Sequence, residues 1–153
     1  MKRTALYLLI LTQIAFGQYP IENDGTNILG MSGIYIGRST IADVKIMRPH
    51  AMTIETVHIN DDGTYSSKQI YRGITSSWIW YVDGNGIITG IMVRSDTERG
   101  NRQAFNDIYS HRISTMGSPN EASTTQIVWR RGEGLYSLSY INGVLTEIVG
   151  TNN

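Results

Sequence analysis

The chain has 153 residues, with 13 basic and 13 acidic side chains, a formal net charge of zero and no cysteine. That length suits one domain or two small fused units, and buries about two thirds of its unfolded surface on folding. The charge balance excludes an overall drive toward nucleic acid or anionic lipid, and the missing thiol excludes disulfides and a lipid-bearing cysteine.

Met1-Lys2-Arg3 precede an uncharged, apolar-rich run from Ala5 to Phe16 that closes at Gly17, with Ala15 two residues before it. Cations, a short apolar stretch and small closing residues read as a signal peptide over residues 1–17, cleaved near Gly17. The run falls short of the roughly 20 apolar residues that span a bilayer. Position 18 is Gln rather than Cys, so no lipid anchor is expected, and no later stretch is long and apolar enough for a transmembrane segment. Such a leader with no cysteine favours a bacterial envelope or secreted protein, periplasmic or released. Lys2 and Arg3 leave with the leader, so 13 basic residues become 11 against 13 acidic ones, a net charge near −2.

Residues 18–33 are polar and Gly-rich without periodicity, and read as an extended or disordered arm. Thr40 and Asp43 form a capping box for a short helix carrying Ile41, Val44 and Met47, which Pro49 stops. Strands are expected over 51–60, 65–72 and 75–82. Asp83-Gly84-Asn85-Gly86 then turns the chain into a strand over 87–94. A second helix follows, with Phe105, Ile108, Tyr109, Arg112, Ile113 and Met116 on one stripe and Arg112 its one polar intruder. Asp96 or Thr97 suits its start, Gly117 its left-handed C-terminal position, and Pro119 lies just beyond. Strands over 124–130, 135–141 and 144–149 finish the chain, the last two joined by Asn142-Gly143, a type I′ turn pair.

The segment Asn85 to Met92 aligns with Asn142 to Val149, with four of eight positions identical. Tandem duplication explains this, with units at 34–96 and 97–150; so does convergence on a favourable hairpin. The expected fold is α+β: an antiparallel sheet of about seven strands, or two smaller sheets in tandem helix-plus-meander units, with two helices packed on one face.

Gly37-Arg38-Ser39-Thr40-Ile41-Ala42-Asp43-Val44, Gly117-Ser118-Pro119 and the paired Asn-Gly hairpins together resemble the superfamily of the β-lactamase inhibitor protein and the small BamE/SmpA lipoproteins, over residues 33–150. The resemblance implies a helix-plus-meander fold and a non-enzymatic envelope role. The chain departs from both branches: it lacks the cysteine that the lipoproteins acylate and the disulfides of the inhibitors.

Chemistry-bearing patterns are sparse. His50, His58 and His111 share no metal-ligand spacing, so no metal site is expected. Asp83-Gly84-Asn85-Gly86 has Ile87 and Ile88 where a calcium loop needs an oxygen ligand and a glycine, and reads as a turn. Gly37-Arg38-Ser39 lacks the second glycine of a nucleophile elbow, and a helix cap explains Ser39. No catalytic residue and no cofactor is expected. The rival reading is an envelope hydrolase that gathers carboxylates from Glu55, Asp61, Asp62, Glu133 and Glu147. A structural envelope protein without a discrete site is the third.

Aromatic residues are the stronger lead. Trp78 and Trp80 share a strand face, as do Tyr136 and Tyr140, and Arg130 lies nearby. Exposed together, these five would form a protein-binding surface on the sheet; buried, they would be the core, with Tyr81 and Trp129 pointing outward. The expected function is a secreted or periplasmic protein-binding module, inhibitor-like or an envelope-assembly accessory. Its partner is another envelope or extracellular protein.

Overall fold

Period-two alternation governs the long strands from Tyr65 onward, and the structure turns them into one wide antiparallel sheet. A computed structural model describes residues 19–46, 53–54, 57–71, 74–95 and 101–152. The leader, the stretch bearing Met47, Pro49 and His50, and the positions of Glu55, Asp96 and Thr97 lie outside these residues.

Strands β1 (Ile21–Asn23), β2 (Ile28–Met31) and β3 (Ile34–Tyr35) pair in sequence as a small sheet. Residues 18–33 were expected as an arm, and this is a correction. Asp24 accepts the backbone amides of Thr26 and Asn27 to shape the first turn. Ser32 and Gly33, at φ 53° and 79°, form a two-residue turn between Met31 and Ile34. Ile28, Met31 and Ile34 are buried in the common core. The segment lacks periodicity because its strands are too short to show one.

Helix α1 (Ile41–Ile46) starts at the expected capping box: the Thr40 amide donates to Asp43 Oδ2 at 2.7 Å and the Asp43 amide to Thr40 Oγ1 at 3.4 Å. Ser39 does not cap it; its hydroxyl instead accepts the Tyr35 amide at 3.0 Å.

Nine further strands make the large sheet: β4 (Thr53–Ile54), β5 (His58–Ile59), β6 (Tyr65–Tyr71), β7 (Ile74–Val82), β8 (Ile88–Ser95), β9 (Glu121–Ala122), β10 (Gln126–Arg131), β11 (Gly134–Ile141) and β12 (Val144–Thr151). Their order is β4-β6-β7-β8-β12-β11-β10-β9, with β5 also on β6. Two short strands, β4 and β5, fall within the one expected over 51–60, and β9 was not expected, which makes nine strands in place of the expected seven. Strands β8 and β12 pair directly, Ile91 opposite Val149, so both meanders lie in one sheet. Helix α2 (Asn101–Met116) packs on β11 and β12.

The two similar hairpins differ in build. Asn142 and Gly143, at φ 51° and 80°, make a two-residue type I′ turn. At the other hairpin Asp83 caps a longer loop by accepting the amides of Asn85 and Ile87, and the register shifts so that Thr89 is extra. Beyond that bulge the aligned positions face opposite ways: Ile91 is buried where Ile148 is half-buried, and Met92 half-buried where Val149 is buried. The likeness holds for the turns and fails for the strand faces.

Candidate functional site

Register places side chains in rows across the sheet. One row runs Tyr65, Trp80, Ile91, Val149, Tyr136, Trp129; the next runs Ser67, Trp78, Val93, Glu147, Leu138, Ile127. All but Tyr65 are buried, beneath α2, α1 and the small sheet. Trp78 and Trp80 are 1% exposed and Tyr136 0%, so three of the five expected binding residues are core. Two tryptophans and a tyrosine bring more apolar area than any other side chains on these strands, so their face is the one that closes. Trp129 is buried as well, its Nε1 donating to the Gly117 carbonyl, while Tyr81 points outward.

Tyr140 is half-buried against Phe105, with the Arg102 guanidinium 5.4 Å from its ring. Arg130 is half-exposed at the sheet edge, where Glu121 accepts from it at 2.7 Å and Asn152 at 3.0 Å. The structure thus gathers no aromatic surface patch from these residues.

Within the core the polar intruder of α2 finds its partner. Arg112 Nη2 donates to Glu147 Oε1 at 3.0 Å and to the Tyr19 carbonyl at 2.6 Å. The Tyr136 hydroxyl donates to the same Glu147 oxygen at 2.7 Å, and the guanidinium lies 4.9 Å from the Tyr136 ring. Burial pushes the Glu147 carboxyl above its ordinary pKa, against the pull of Arg112 and the Tyr136 hydroxyl. Burial also raises the Tyr136 phenol well above its usual range, and the Glu147 charge adds to this. With both charges almost fully covered, this cluster holds helix, sheet and N-terminal chain together and offers no route for a substrate.

The accessible site is on the opposite face. Row by row it carries Ser66, Ile79, Met92, Ile148 and the buried Ser137, and beside them Lys68, Ser77, Arg94, Thr146 and Ser139. Ile79, Met92 and Ile148 are half-buried, and Lys68 and Arg94 exposed. A concavity of about 510 Å³ opens over this region, with His58, Asn60, Ser66, Lys68, Ser77 and Arg94 among its lining. Sequence reasoning missed it, although the phase signal was present: strands that turn Trp78 and Trp80 inward must turn Ser77 and Ile79 outward.

Among the described residues Asp61 and Glu133 lie far apart, and Glu55 falls outside the described residues. The Asp62 carboxylate accepts from the amide and hydroxyl of Thr64, which lowers its pKa, and Glu147 is sealed in the core. Asp61 precedes β6 and Glu133 precedes β11, four strand spacings apart or about 19 Å along the sheet. That exceeds the roughly 5–9.5 Å of a glycosidase pair. Among the described residues no three His, Asp or Glu side chains gather as metal ligands, and no helix is long and apolar enough to cross a membrane. No family model, curated protein or solved structure matches the chain.

Proposed function

We propose that the protein is an extracytoplasmic, non-enzymatic protein-binding module whose contact surface is the open face of the large sheet. The leader of residues 1–17 supports export, and the likeness to the β-lactamase inhibitor protein and BamE/SmpA superfamily points to the same class of role. One observation carries the reading: the stripe Ile79, Met92, Ile148 crosses three central strands and stays only half-buried, with no described element packed over it, while the rows of Trp78 and Trp80 are closed. A rigid sheet presenting an apolar strip among Ser and Thr resembles the core and rim of a protein interface. It loses little conformational entropy on binding.

A photocrosslinking residue in place of Met92, in cells that export the protein, tests this. One dominant crosslinked protein is expected, absent when the crosslinker replaces the exposed Thr115 on α2. Ile148→Glu should weaken capture by roughly thirtyfold, the loss typical of a central interface contact of about 2 kcal/mol. Equal, diffuse capture at both positions would dismiss the reading and direct the work to glycan, polymer and hydrolase assays.

A further inference from the structure

We infer that the open face is built for an acidic partner protein, whose carboxylates sit in the concavity between Lys68 and Arg94. The inference rests on the reading above and adds the partner's chemistry.

Charge is segregated in this molecule. The expected mature chain carries 13 acidic residues against 11 basic ones, yet the open face of the central strands carries almost none of the acids. The row Lys68, Ser77, Arg94, Thr146, Ser139, Gln126 has two cations and no carboxylate, and the row through Ile79 and Met92 has none before Glu121 at the far edge. Glu121 is already paired with Arg130. The other described acids lie off these rows: on β1 at Glu22, in turns at Asp24, Asp61, Asp62, Asp83 and Glu133, on the helices at Asp43 and Asp107, and inside at Glu147.

Lys68 and Arg94 flank Ser77 on adjacent strands, so their Cα atoms are about 10 Å apart on one face. Opposite charges on facing strand positions stabilise a sheet. Here like charges flank a neutral hydroxyl, and neither has a carboxylate partner among the described residues. An acidic side chain entering between them meets two cations and the Ser77 hydroxyl at once. The neighbouring apolar stripe favours a protein over a phosphate polymer, since a polyanion has no use for Ile79 and Met92.

The test uses hexaglutamate as probe, read by amide chemical shifts of the purified protein, with hexalysine and phosphatidylglycerol vesicles alongside. Shifts are expected to centre on Lys68, Ser77 and Arg94, to fade with salt, and to require roughly tenfold more peptide in Lys68→Gln/Arg94→Gln. Both residues are exposed, so the double variant should melt as the parent does. Shifts spread evenly over Lys45, Arg102 and Arg130, no shift at all, or binding to vesicles without binding to hexaglutamate would each overturn the inference. The Met92 crosslink separates the two levels. A partner captured equally well by the double variant refutes the acidic chemistry and leaves the binding surface standing. Capture at Met92 of the parent protein that is as diffuse as at Thr115 refutes the surface.

Discussion

Arg112 and Glu147 show how one residue choice sets the interior. Each occupies a buried phase of its own element, on α2 and β12, and each would be costly there alone. Removing either leaves the other charge without its ion partner in the core, so Arg112→Met and Glu147→Gln should each destabilise by about 3–5 kcal/mol. The double variant should cost clearly less than the sum, a coupling that urea titrations of the four proteins measure. The pair also has a pH signature. A carboxyl whose folded pKa lies above its ordinary 4.5 binds more protons in the folded state. Its contribution is therefore fully present below about 4.5 and is lost as pH rises through the folded value. Glu147→Gln should flatten the stability profile in that window. Asp24 and Asp62 act oppositely, because hydrogen bonds from Thr26, Asn27 and Thr64 lower their pKa values. Their support is present above about 3.9 and fades as pH falls.

At the level of elements, close approaches decide the packing. Strand β2 lies on β11 and β12, and Gly134 is where the backbones meet: a Cβ there would run into the Ile28 carbonyl. Gly134→Ala should cost about 1–3 kcal/mol and loosen the small sheet first. Faster hydrogen exchange at Ile28 to Met31 than at Ile91 would report it. The C-terminus of α2 is held as closely. Gly117, at φ 75°, donates its amide to the Ile113 carbonyl, while Arg131 donates to the carbonyls of Met116 and Ser118. The glycine cap was legible in Gly117-Ser118-Pro119. The arginine was not, because only tertiary contact brings β10 to that helix end.

Across the whole molecule, protection should follow the sheet order. Strands β7, β8, β12 and β11 have partners on both sides, whereas β4, β5 and β9 are two-residue strands at the margins. Native-state exchange should therefore be slowest at Trp80, Ile91, Val149 and Tyr136 and fastest at Thr53, His58 and Glu121. Uniform protection across all nine strands would contradict a sheet whose centre carries its stability. Among the described residues the open face lies outside the core, so substitutions at Lys68 and Arg94 should leave folding intact.

Local chemistry determined much by itself. The α1 capping box, the Asn142-Gly143 turn, the Gly117 cap and the long strands all follow from residues within a few positions of one another, where backbone preference and side-chain reach suffice. The sequence also marked Arg112 as out of place on its stripe, without naming its partner. Tertiary structure decided the rest. Alternation says that two faces exist and stays silent on which one closes; the match of α2, α1 and the small sheet to the tryptophan face settled that. It also made a sheet of residues 21–35, joined β8 to β12, and placed Glu147 under Arg112. Those outcomes depend on contacts between residues far apart in the chain, whose energies no local pattern carries.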